Sequence, residues 1–248
     1  MASTIVLARN TAPESRNPIH TEEARRHGFS GGIVPGLTLF AYAFREPLHR
    51  WGEPWLGAGE ATMAFKQPVY DGDDVVIGTT ERDGSSGDVL EVELTVAGRG
   101  LCASGWFQRR LETARPWPAS FPSGGSPPDP LPPVDDEQLR TCGPLPPLSI
   151  DTSPTAVGQW LAAHDETDPT FERVLHPALL SRVSARMLPL RFRFDGPRVH
   201  RRLHASFFAT RPQGPPLTAR GRVTRVWSTA ATATWPASSP WSTIAATR

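Results

Sequence analysis

Four stretches in the first half of the chain are runs of apolar and β-branched side chains with polar ones interspersed, at residues 61–65, 75–80, 89–97 and 101–108. Such runs predict strands. Asp71-Gly72-Asp73 and Asp83-Gly84-Ser85-Ser86-Gly87 fall between them and predict turns, so the run reads as an antiparallel meander. Ahead of it the pattern changes. Leu37, Phe40, Ala41 and Phe44 recur at helical spacing and predict one apolar helical face, with Pro47 ending or kinking the helix. A β-branched run at residues 4–7 predicts a short strand. Thr21 suits an N-cap, Glu22 and Glu23 suit the first turn, and Gly28 suits the stop of a short helix between them. A sheet wrapped around one apolar helix satisfies this order.

The second half repeats the plan more faintly. Residues 157–163 predict a helix, and Leu179, Val183 and Met187 are spaced by four. Strands are expected at residues 190–194, 203–208 and 217–227. Val34-Pro35-Gly36-Leu37 and His176-Pro177-Ala178-Leu179 both precede a helix and then strands, which suggests two copies of one unit. Residues 116–147 are so rich in proline that an extended, solvated linker is expected. The division predicted is therefore a first unit at 1–115, a linker at 116–147 and a second, degenerate unit at 148–248. The last stretch, from Trp227 onward, is small, polar and broken by proline where an alternating strand is due. A shift of reading frame near Val226 is the expectation drawn from it.

Composition narrows the function classes. The 26 basic and 25 acidic side chains leave a net charge of +1, without the basic excess usual for a nucleic-acid protein. No apolar run approaches the length of a membrane span, and the first residues lack the layout of a secretory signal, so a cytoplasmic protein is expected. Cys102 and Cys142 make neither a metal motif nor a disulfide framework, and no metal site is expected. Only Lys66 among the basic residues is a lysine, a skew that gives little weight to any single arginine.

Chemistry concentrates in one segment. Glu14-Ser15-Arg16-Asn17-Pro18-Ile19-His20 is followed by Ala24, Gly28-Phe29 and Gly32-Ile33-Val34-Pro35-Gly36. Read alone, Asn17-Pro18 is a common turn pair and His20 either caps that turn or serves a site. The segment as a whole resembles the MaoC-like dehydratases, or (R)-specific enoyl-CoA hydratases, of the hotdog fold. Their pattern is Asp-x-Asn-Pro-x-His, a short helix, then a glycine-containing turn at the start of the central helix. The resemblance is close over the quoted residues and extends more weakly, as helix plus meander, over most of residues 1–112. It implies an α+β double hotdog, two antiparallel sheets each wrapped around a helix and joined edge to edge. A homodimer is a further expected assembly.

The resemblance also implies an activity: hydration or dehydration of an enoyl or 3-hydroxyacyl thioester on coenzyme A or acyl carrier protein, with no cofactor beyond that carrier. His20 would be the acid–base imidazole, Asn17 an orienting residue, and Gly36, with Leu37 and Val34, the holders of the thioester carbonyl. Ser15 stands where the family has aspartate. Either Glu14, one position away, replaces the carboxylate, or the protein binds an acyl thioester or another chain without turning it over. A thioesterase would need a carboxylate on the central helix; only Glu46, near its end, is available, and that reading ranks last. His176 reads as a turn residue or as a ligand of the second copy. The arginines at 191, 193, 198, 201 and 202 read either as phosphate ligands or as the solvated face of a strand.

Overall fold

The computed structural model describes residues 2–84, 87–109 and 122–226. Its main sheet has six strands, each antiparallel to its neighbours. They are β1 (Ala2–Leu7), β2 (Gly59–Phe65), β3 (Asp74–Gly84), β4 (Gly87–Val96), β5 (Gly100–Arg109) and β7 (Arg202–Ser206). The spatial order is β1-β3-β4-β5-β2-β7. A second, two-stranded sheet pairs β6 (Leu148–Ile150) with β8 (Leu217–Ala219). Burial alternates along the strands: Ala61, Met63 and Phe65 on β2, Val75 and Ile77 on β3, and Leu90, Val92 and Leu94 on β4 all face the core.

That core is built on α1 (Gly36–Ala43), which continues after one residue into α2 (Arg45–Trp51). The expected break does occur, but before Pro47. A proline ring clashes with the carbonyl four residues earlier, here that of Ala43, and α1 ends there. The expectation of a single apolar face on α1 is too narrow. Leu37 through Ala43 are all buried, because the sheet covers one side and α5 (Pro177–Ser181) packs against another. Phe40, Phe44, Trp55, Phe107 and Phe207 interlock there, with ring centroids 4.8–5.9 Å apart.

The second half completes this core more than it copies it. Its strand β7 adds to the free edge of β2, Leu203 opposite Met63, and so covers an edge that would otherwise be open. The strand expected at residues 190–194 does not form. Leu188–Leu190 is a 3-10 turn instead, and Arg193 makes only an isolated bridge to Pro133. The strand expected from residue 217 stops at Ala219. The reading-frame expectation falls on residues 227–248, outside those described.

The Pro-rich stretch is not solvated throughout. Asp135 caps α3 (Asp136–Thr141), its carboxylate accepting from the Gln138 N–H at 2.7 Å. Leu139 and Leu145 are buried with Val183, Met187 and Phe192 in a separate small core. The Val134 N–H donates to the Arg193 carbonyl, the Arg193 N–H donates to the Pro132 carbonyl, and the Leu145 N–H donates to the Gly221 carbonyl, in place of a regular ladder. The remaining helices are α4 (Pro154–Ala163) and α6 (Ser184–Met187). Among the described residues no helix is long and apolar enough to cross a membrane.

Candidate active site

A cavity of about 740 Å³ opens beside the N-terminus of α1. The first half lines it with the 11–20 segment and the 33–39 turn, and the second half with residues of α5, α6 and the 198–204 stretch. Every residue singled out from the sequence for the site, Glu14, Ser15, Asn17, His20, Val34, Gly36 and Leu37, lies on its wall.

Local structure places these groups. Pro18–His20 is a single 3-10 turn with Pro18 in its first position, and Glu22–His27 is a second, capped by Thr21 and closed by Gly28 at φ +84°. His20 Nδ1 lies 2.9 Å from the Ile33 carbonyl oxygen. That oxygen can only accept, so the hydrogen resides on Nδ1 and the Nε2 lone pair is left free. Burial lowers the basicity of this ring, the Ile33 bond opposes the shift, and the Arg198 guanidinium lowers it further. The imidazole is therefore neutral near pH 7 and able to take a proton.

The segment's other polar groups hold it together. Ser15 Oγ accepts from the Asn17 N–H at 3.1 Å. Asn17 then clamps the second half: its Nδ2 donates to the Arg198 carbonyl at 2.8 Å, and its Oδ1 accepts from the Arg198 N–H at 3.0 Å. With both ends of the amide engaged, Asn17 fixes the chain at Arg198. Replacing it with alanine removes two hydrogen bonds and strands two backbone groups. The expected loss is on the order of 2–4 kcal/mol in denaturant unfolding; a change within about 0.5 kcal/mol would show that the clamp is dispensable. Glu14 is exposed at the rim.

At the start of α1 the Val34 N–H is bonded to the Val69 carbonyl at 2.8 Å, so Val34 contributes side-chain surface and not a donor. The N–H groups of Gly36 and Leu37 have no hydrogen-bond partner among the described residues, as the first turn of a helix requires. They form a donor pair on the cavity wall, at the positive end of the helix. Gly36 is needed for closeness: a Cβ there would lie 2.9 Å from the Phe65 ring.

Three wall residues were missed from the sequence. His164 is buried and stacked on Trp160 at 3.9 Å, the two being one helical turn apart. Its Nδ1–H donates to the Trp160 carbonyl at 2.7 Å, and its Nε2 faces the Thr38 hydroxyl at 3.5 Å. Thr38 in turn shares a 2.7 Å hydrogen bond with Thr11. Arg182 and Arg186 enter from α5 and α6. The i,i+4 spacing of Trp160 and His164 was the only signal available for any of them.

His176 sits in the turn before α5, with its ring hydrogen-bonded. It caps α5, its Nδ1 accepting from the Ala178 N–H at 3.0 Å, and it is enclosed by the rings of Phe44, Trp160 and Phe171. Burial holds its pKa well below the ordinary 6.5, and burial sets His164 at about 4. Above pH 6.5 these rings are neutral whether the chain is folded or not. As pH falls below 6.5 the unfolded chain takes protons that the folded one refuses, so stability declines until about pH 4. His164 alone accounts for about 3 kcal/mol of that decline. Unfolding curves between pH 7 and 4 check this, and a flat profile would contradict it.

The fold can be placed at this point. A MaoC-like dehydratase structure superposes on this chain with a TM-score of 0.53 and 14% identity, covering 90% of this chain and 88% of the other. A MaoC domain protein dehydratase from Chloroflexus aurantiacus gives 0.50 and 13%, covering 90% and 80%. The chain has the MaoC-like hotdog fold. No protein-family model and no curated protein sequence matches it. In hotdog terms α1 is the central helix, and β7, from the second half of the chain, extends the sheet beyond β2. Among the described residues no group of three or more His, Cys, Asp or Glu is arranged to hold a metal.

Proposed function

We propose that the cavity binds an acyl thioester, on coenzyme A or acyl carrier protein, and that His20 moves a proton in its hydration or dehydration. The observation that carries this reading is the Nδ1–H bond from His20 to the Ile33 carbonyl. It presents a lone pair on Nε2 from a neutral ring, in the same cavity wall as two unpaired N–H donors of α1. A water held by Nε2 would lose its proton to the ring as its oxygen attacks the β-carbon. Enolate charge would then build on the thioester oxygen, where the Gly36 and Leu37 donors stabilise it. The α-carbon takes its proton in this reading from Glu14 in its carboxylic acid form, swinging in from the rim, and the His20 imidazolium then returns its proton to the Glu14 carboxylate through water, which restores both groups.

A second reading is favoured by one specific observation. Ser15, where the family has its aspartate, is already committed to the Asn17 N–H. Without a carboxylate the site would bind an acyl thioester and not turn it over. Mixing the protein with crotonyl-CoA and following loss of the conjugated double bond separates the two. Turnover supports the enzyme; thioester binding without turnover supports the second reading. Absence of both would sink the thioester assignment. Cytoplasmic fatty-acyl metabolism is the setting proposed with either.

A further inference from the structure

The charge on the cavity wall is one-sided. Arg16, Arg182, Arg186, Arg198 and Arg202 line it against a single carboxylate, Glu14. The chain as a whole is balanced at +1, so this is a local accumulation. Elsewhere the protein pairs its arginines: Arg9 with Asp165, Arg45 with Glu166, Arg50 with Glu81, Arg173 with Glu53. Arg182, Arg186 and Arg198 have no ion pair among the described residues.

Two of the three, Arg198 and Arg182, approach the reacting end of the cavity. Arg198 is near enough to His20 to depress its basicity, and its backbone is pinned there by Asn17. Its guanidinium packs over the Phe194 ring at 4.7 Å, which orients it without neutralising it. Arg182 depresses His164 in the same way, and His164 contacts Thr38 in the first turn of α1. Arg182 and Arg186 stand one turn apart across the α5–α6 junction, close enough for Arg186 to act on Arg182. Like charges so placed repel, and the partial burial of Arg198 adds a desolvation cost. A bound anion removes both penalties. The phosphates of a coenzyme A thioester are held away from the reacting carbons by the whole pantetheine arm, so they do not reach the position beside His20 while the thioester lies at the Gly36 donors.

We propose that Arg182, Arg186 and Arg198 form a subsite for a carboxylate on the acyl group, making the substrate class a carboxylated acyl thioester. This rests on the thioester reading above and deepens it. Guanidinium forks match a carboxylate geometrically, and hydrogen bonds between charged partners are the strong ones.

The test is calorimetric titration with glutaryl-CoA and pentanoyl-CoA. Their acyl chains are equal in length and differ only in the terminal carboxylate, so every contact to the nucleotide and the pantetheine arm cancels. Neither has the double bond that would be turned over. The wild-type protein is expected to bind glutaryl-CoA about tenfold more tightly or better. In the double variant Arg182→Gln, Arg198→Gln that preference should fall to near unity, with pentanoyl-CoA affinity little changed. Equal binding of the two by the wild type overturns the subsite while leaving the thioester reading intact. A parallel loss for both ligands in the variant also overturns it, and would assign the arginines to the coenzyme A phosphates. Binding of neither ligand removes the thioester reading, and the subsite with it. The wild-type comparison stands even if the variant does not fold.

Discussion

Replacing His20 with glutamine is expected to lower hydratase turnover by roughly 100- to 10,000-fold, the usual effect of removing a general acid–base group. Glutamine is the informative choice. Its amide N–H can still donate to the Ile33 carbonyl, the 2.9 Å bond that fixes the ring, so the fold should be retained. What it lacks is a lone pair basic enough to take a proton. A variant with wild-type turnover would end the role assigned to His20. The pH profile gives an independent reading. Burial lowers the His20 pKa below the ordinary 6.5, so activity should persist on acidification past that value before failing. Ser15→Asp sharpens the case. The serine hydroxyl accepts the Asn17 N–H, and an aspartate can accept it equally while adding the missing carboxylate. Turnover is expected to rise in that variant if the cavity holds an enoyl thioester.

Much of the first half of the chain was legible because its signals were local. The meander strands followed from β-prone runs set off by the turn signals between them, and the observed ends differ from expectation by a few residues at strand termini. The turn at Glu22–His27 was legible from its caps, Thr21 and Gly28, though it winds as a 3-10 helix. The limits of legibility were equally physical. Leu139 and Leu145 lie among prolines, and proline density hides the burial of the apolar residues between them. Arg182 and Arg186 reach the cavity only because the α5–α6 segment folds over α1, and no spacing within the chain encodes that approach. Arg191, Arg193 and Arg198 looked equivalent in sequence. Only Arg198 among them lines the cavity, because Asn17, 181 residues away, grips its backbone. The Asn-Pro-x-His frame was readable as a motif, but that its asparagine ties the two halves together was not.

The same frame makes Gly32 the position where the smallest addition should do the most harm. A Cβ at Gly32 would lie 2.6 Å from the His20 carbonyl oxygen, 2.9 Å from its carbon and 3.2 Å from Asn10 Nδ2. Both of the closest atoms are backbone, which cannot swing aside as a side chain can. The His20 oxygen is also held from the other side by Asn10, which donates to it at 2.8 Å. Gly32→Ala must therefore push the 3-10 turn of His20 away from the 33–36 turn. That movement stretches the Ile33 N–H bond to the Ile19 carbonyl, now 2.9 Å, and the imidazole bond to the Ile33 carbonyl. The stability loss expected from such overpacking is about 1–3 kcal/mol, read as a lower unfolding midpoint at roughly 2–4 °C per kcal/mol. Turnover should fall further than stability, by on the order of 100-fold, because a displacement near 1 Å spoils the line from Nε2 to the substrate. Gly31→Ala is the matched control. Its Cβ would meet the Arg25 side chain at 3.5 Å and the Glu22 carboxylate at 4.0 Å, both ordinary contacts with side chains, so midpoint and turnover should both stay near wild type. If alanine at 32 were tolerated as well as alanine at 31, the tight stacking of these two turns would not be what holds the His20 ring in place.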